Sequence, residues 1–236
     1  MRNGHPTIFL LAYAGYLIVG LGSISFHATL KYPMQLFDEL SMIYTTCLMC
    51  FAATTHGKST RVTVILGVSL IGVAAFITGY YHITKDPKFH QNAYGILTVS
   101  IVFWSLYVME FELRPQLEKR MGPAVSASMF KEMRRMLAYG LTMFLSGYLI
   151  WNLDNWYCGY FLQWRNHVLL PWAILLEGHA WWHILTGIGG YYYITWWIWL
   201  NALLDGMEKH FKFVWPNMVT SFAEVVRVDH GGAKGK

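Results

Sequence analysis

The sequence predicts an all-α, multi-pass transmembrane helical bundle on three grounds: its composition, the lengths of its apolar stretches, and the placement of its charge. Hydrophobic residues make up 55% of the 236-residue chain and charged residues only 13%, against roughly a quarter charged in a soluble domain. Six stretches reach the ~20 mostly apolar residues that a helix needs to cross a bilayer: residues 7–28, 34–55, 62–82, 90–111, 134–155 and 171–203. Aromatic side chains gather beside the ends of these stretches, where amphipathic rings suit the membrane–water boundary. With 11 Trp and 15 Tyr, they read as interfacial belts rather than a soluble core. The net charge of +5 does not point to nucleic acid, because the basic residues lie between apolar spans and form neither a stripe nor an RNA-binding motif.

The first stretch follows Arg2 and runs apolar from Ile8 to Leu21. Such a start resembles a secretory signal peptide. The run continues through Phe26 with no small-x-small cleavage site followed by polar sequence, so a span is expected instead. The second stretch carries Asp38 and Glu39 near its start and a lone Cys47-x-x-Cys50 in its apolar run. No second CxxC and no thioredoxin-like setting accompanies that pair, so packing is expected rather than metal or redox chemistry. The third stretch ends near His82, the fourth begins near His90, and the one long polar connection follows from Glu112 to about Arg135. The fifth closes at Asp154, after which Cys158 falls in a loop. The sixth carries Glu177, His179 and His183 early and is long enough to project beyond the membrane. No linker-like spacer interrupts the series. A single domain is expected, with a helical core over 7–204 and a polar tail over 205–236 whose last residues, Gly231 to Lys236, suit disorder.

Following the chain from span to span, one membrane face receives the N-terminus, the loops after the second and fourth spans, and the C-terminus. Of the 18 Lys and Arg residues, Lys31, Lys85, Lys88 and Arg165 fall on the opposite face and all the rest on this one. The positive-inside rule makes the basic face cytoplasmic. Ionisable groups within or at the edges of spans are costly, which makes each a functional candidate. Ser23 with His27, Asp38 with Glu39, Asp154, and Glu177 with His179 and His183 all lie towards the non-cytoplasmic face.

Residues four apart share a helical face, so Ser23 stacks with His27, and His179 with His183. Two histidines at this spacing can present nitrogens to one metal, as in HExxH sites. The run His179-Ala180-Trp181-Trp182-His183 lacks that Glu, so a general base must come from elsewhere, and Asp38 is the best placed. His27 would supply a third nitrogen and complete a three-histidine zinc site with a fourth position for water. Each feature also has a plainer reading. A lone HxxxH is often structural or interfacial; His82, His90 and His167 are rival ligands or interface residues; Asp38 can equally cap the second helix or pair with Lys31.

The segment Gly22-Ser23-Ile24-Ser25-Phe26-His27-Ala28-Thr29-Leu30-Lys31-Tyr32, continued by Met34-Gln35-Leu36-Phe37-Asp38-Glu39-Leu40, closely resembles the alkaline ceramidase signature. Trp151-Asn152-Leu153-Asp154-Asn155 and His179-Ala180-Trp181-Trp182-His183-Ile184-Leu185-Thr186-Gly187 resemble later stretches of that family, in family order. SxxxH, an Asp eleven residues after that His, and then HxxxH also mark a wider group of multi-pass hydrolases that includes the adiponectin receptors. The flanks Lys31-Tyr32 and Trp181-Trp182 favour the ceramidase branch.

The resemblance implies zinc on His27, His179 and His183, with Ser23 and Asp38 as catalytic residues around the attacking water. It implies hydrolysis of the ceramide amide bond to a sphingoid base and a fatty acid. The substrate would be ceramide, dihydroceramide or phytoceramide, taken from the membrane of the endoplasmic reticulum or Golgi, with the active site on the lumenal face. The alternatives are a receptor-like or lipid-binding member of the wider group, or an inactive truncated paralogue. The family resembles a seven-helix bundle whose acidic N-terminal segment holds a cysteine and binds Ca2+. This chain opens before what would be the second helix, so its six helices correspond to helices two to seven. Ca2+ binding is therefore not expected, and Cys158 lacks the N-terminal cysteine with which its family counterpart pairs.

Overall fold

The computed structural model describes residues 6–215 and 223–228. They are mainly helical, with two short strands that pair with each other, and the chain divides into two compact units.

The first unit comprises Met1–Arg120 with Leu200–Met207. Its helices are α1 (Thr7–Thr29), α2 (Tyr32–Thr55), α3 (Thr60–Thr84) and α4 (Pro87–Tyr107). At 1.5 Å per residue, α1 spans about 34 Å, enough for a hydrocarbon core of about 30 Å. The turn from α1 into α2 is two residues long. Leu30 takes the left-handed conformation (φ 53) and its N–H donates to the Phe26 carbonyl at 2.7 Å, while Lys31 is extended and Pro33 sits in the first turn of α2. Helix α4 starts on Pro87, capped by the Asp86 carboxylate, which accepts from the Lys88 N–H at 3.0 Å. Ile43 and Cys47 of α2 bury against Ile77 of α3, with Phe89, Ala93 and Leu97 of α4 packed round them. Cys47 and Cys50 are both buried and free, as expected of packing residues. At the far end of this unit Arg120 Nη2 donates to the Leu203 carbonyl, and His56 Nε2 lies 3.4 Å from Asp205.

The second unit comprises Met121–Trp199 with Glu208–Lys236. It holds α6 (Pro123–Trp156), α7 (Cys158–Val168), a 3-10 turn (Trp172–Leu176) and most of α8 (Gly178–Leu204). Helices α6 and α8 approach closely through small residues, as membrane helices do. A Cβ on Gly189 would lie 2.9 Å from the Gly140 carbonyl and 3.0 Å from the Phe144 Cβ. Their seam buries Trp196, whose indole N–H donates to the Met133 carbonyl at 3.1 Å. Strands β1 (Phe211–Val214) and β2 (Glu224–Arg227) pair antiparallel, with Phe211 opposite Arg227.

Among the described residues five helical runs are long and apolar enough to cross a membrane: α1, α2, α3, the continuous stretch Pro87–Met121, and α6. The chain is a multi-pass, all-α membrane protein. The sixth expected span is met in length by the 27 residues of α8, but that helix is richer in Trp and Tyr than the other five.

The structure corrects several local expectations. The polar stretch from Glu112 to Arg135 is not an extended connection. After a π-helical turn (Val108–Leu113) the chain continues as α5 (Arg114–Met121), breaks at Gly122 (φ 81), and resumes at once as α6. Charged residues there sit on helix projecting past the apolar span, where water can solvate them. The last span begins at Gly178, because the chain from Pro171 forms the 3-10 turn first. Cys158 opens α7 rather than lying in a loop, and it is exposed and free. The expected polar tail carries the paired strands β1 and β2, and Gly231 to Lys236 lie outside the described residues.

Candidate metal centre

The first unit positions Ser23, His27 and Asp38. Ser23 and His27 lie in the last two turns of α1, on one face. His27 is exposed and Ser23 half-buried. Asp38 lies well inside α2, whose N-cap is Lys31, so it caps nothing. Asp38 is 8% exposed. Burying a carboxylate costs stability, and such a cost is commonly kept where the group has chemistry to do.

Gly22 sets the distance between these groups. A Cβ there would lie 3.0 Å from the Asp38 Cα, 3.1 Å from its N and 3.1 Å from the Phe37 carbonyl oxygen. Only a glycine lets α1 come this close to α2, and it does so one residue before Ser23.

The second unit positions His179 and His183 in the first two turns of α8. Their ring centroids are 4.8 Å apart, and both side chains are half-buried. Three contacts fix this end of α8. Gly178 lies against Asp154 at the end of α6, where a Cβ would meet the Asp154 Cβ at 2.8 Å. Arg165 of α7 pairs with Glu177 at 2.5 Å, directly before the helix. Trp182 packs among Phe144, Tyr148 and Trp151 of α6. Trp181 instead stays exposed, with its indole N–H on the Leu175 carbonyl at 3.1 Å. The two adjacent tryptophans thus have different work, one anchoring α8 to α6 and one facing outward.

The rival histidines are accounted for. His90 is buried and its Nε2 lies 2.9 Å from the Glu39 carbonyl oxygen. The exposed His167 uses Nδ1 on the Gln163 carbonyl at 2.7 Å, and the exposed His82 stands beside the Tyr32 ring. Sequence reasoning missed the partners of Glu39, namely Tyr81 and His90, which lie 42 and 51 positions further along the chain; no periodic signal within α2 marks them.

Comparison with known proteins identifies the family. The model of the family described as Ceramidase matches residues 1–226. Mouse alkaline ceramidase 3 is 32% identical over 212 residues, which cover 88% of this chain and 73% of the mouse protein. Alkaline ceramidase YPC1 of Saccharomyces cerevisiae is 34% identical over 228 residues, covering 91% of this chain and 68% of the yeast protein. Putative alkaline ceramidase dcd3A of Dictyostelium discoideum is 28% identical over 218 residues. With both histidine-bearing helices inside the matched region and identity above 30% across most of its length, the chain belongs to the ceramidase family.

Proposed function

We propose that this chain hydrolyses the amide bond of a ceramide, giving a sphingoid base and a fatty acid, with zinc on His27, His179 and His183. The observation that carries the reading is the His179–His183 pair, two imidazoles on one face of α8 with centroids 4.8 Å apart. His27, the third proposed ligand, lies one turn beyond Ser23 on the same face near the end of α1. Three imidazoles are a donor set that suits zinc and leaves a fourth coordination position open. The matched relatives, named as alkaline ceramidases, supply the substrate class.

When bound, zinc would supply Lewis acidity and lower the pKa of water towards neutrality. The protein's own groups do the rest. Asp38 takes the proton of the attacking water and returns one to the leaving amine. Ser23 donates its hydroxyl to the oxygen that gains charge when the amide carbonyl is attacked. The substrate arrives sideways from lipid, because each CH2 kept out of water is worth about 0.8 kcal/mol and a ceramide has two long chains. The charge asymmetry of the loops supports a non-cytoplasmic site, which is the lumenal side in the endoplasmic reticulum or Golgi membrane that the family resemblance implies.

The test incubates membranes carrying the chain with labelled ceramide, with and without a zinc chelator, alongside His179→Ala. Chelation and the substitution are both expected to abolish release of labelled fatty acid, and purified His179→Ala to contain no zinc. Release that survives both treatments rejects the zinc assignment. No release from the untreated chain, with lipid binding intact, favours a lipid-binding role.

A further inference from the structure

Asp38 and Glu39 are consecutive on α2 and therefore point about 100° apart around it. Asp38 meets α1 at Gly22. Glu39 turns to the other side, into a cluster drawn from three helices. The Tyr81 hydroxyl of α3 donates to one Glu39 carboxylate oxygen. Gln35 Nε2 donates to the other at 3.2 Å and lies 3.3 Å from the Tyr81 hydroxyl. His90 Nε2 of α4 lies 2.9 Å from the Glu39 backbone carbonyl, and its ring stands 5.5 Å from that of Tyr81. Tyr81 and His90 are 1% and 3% exposed.

We propose that Tyr81 and His90 are positioning residues for the hydrolytic reaction, acting through Glu39 to hold Asp38 in place; this rests on the catalytic role given to Asp38 above. The arrangement is a two-sided clamp. On one side Gly22 lets α1 sit against the backbone of Asp38. On the other, side-chain bonds from α3 and α4 grip both the carboxylate and the carbonyl of the next residue. A helix held only at Gly22 can rotate or slide along α1. The cluster fixes its rotation, since the Tyr81 bond and the His90 contact reach different atoms of Glu39 from different helices. Charge-assisted bonds in a medium of low dielectric are strong enough to do this. Nothing in the cluster need touch substrate or metal.

The test uses the full chain purified in detergent, comparing Tyr81→Phe, His90→Ala and His90→Gln with wild type. Tyr44→Phe is the matched control, since the Tyr44 hydroxyl also bonds α2 to α3, through Thr78 at 2.9 Å. Three quantities are read: steady-state hydrolysis of a labelled ceramide, zinc per chain, and hydrogen exchange of α2 amides around Asp38. Tyr81→Phe and His90→Ala are expected to lower kcat roughly 10- to 100-fold, the scale that misplacing a reacting group by an ångström brings. KM should stay within about twofold, zinc content should be unchanged, and exchange around Asp38 should quicken. His90→Gln, which keeps a donor, should recover most of the rate, and Tyr44→Phe should behave as wild type. Unchanged exchange in Tyr81→Phe overturns the clamp whether or not the chain proves to be a hydrolase. Faster exchange with wild-type kcat overturns its catalytic purpose, as would Tyr44→Phe matching Tyr81→Phe. An inactive wild-type chain instead rejects the reading of Asp38.

Discussion

Asp38 and Ser23 carry separate and measurable shares of the proposed chemistry. Asp38→Asn keeps shape and burial while removing the proton acceptor, so hydrolysis should fall by about 10²–10⁴-fold, the usual contribution of a general acid–base group. The same substitution takes a charge out of a largely buried position, so thermal unfolding should show a midpoint no lower than wild type, the trade expected at a site where stability gives way to activity. A large drop in that midpoint would make Asp38 a structural residue. Ser23→Ala removes one donor to the developing oxyanion, worth about 3 kcal/mol, and should lower kcat by about 100-fold while leaving zinc content intact. Both residues stood out from sequence by type and spacing, because a hydroxyl and a carboxylate inside apolar runs need a reason. Glu39 drew notice on the same ground, but its role did not show, since Tyr81 and His90 reach it from other helices.

At the scale of helices, the α1–α2 seam decides whether Ser23, His27 and Asp38 can act together. Gly22→Ala would put a methyl group 3.0 Å from the Asp38 Cα, and because the obstacle is backbone, α2 must move. The expected cost is about 1–3 kcal/mol of stability, with a larger fall in hydrolysis than that loss explains. Gly20→Ala on the same helix meets nothing within 4 Å and should be neutral or slightly stabilising, since alanine is the better helix former. Equal behaviour of the two variants would remove Gly22 from the account. Apolar length was enough to locate α1 to α4 and α6 from sequence, because in a bilayer every span must satisfy its backbone as a helix. What was illegible lies outside the hydrocarbon. Helix α5 and the first turns of α6 are polar and carry no apolar run, the 3-10 turn before Gly178 is as apolar as the span it precedes, and strands of four residues give too short a period to detect.

For the molecule as a whole, lipid is the solvent, and side chains such as Ile71 and Phe103, 70% and 67% exposed, are where a membrane protein keeps them. Orientation in that solvent is the remaining whole-molecule quantity, and the cysteines report it. Cys47 and Cys50 are buried while Cys158 is exposed, so a membrane-impermeant maleimide should modify one thiol per folded chain. Cys158 follows directly on α6, and the topology proposed from the loop charges assigns it to the non-cytoplasmic face. In sealed microsomes it should be protected until the vesicles are opened with a mild detergent, and Cys158→Ser should lose the signal in both conditions. Labelling of Cys158 in sealed vesicles would place the end of α6, and with it Asp154, on the cytoplasmic side, reversing the orientation on which the lumenal chemistry depends.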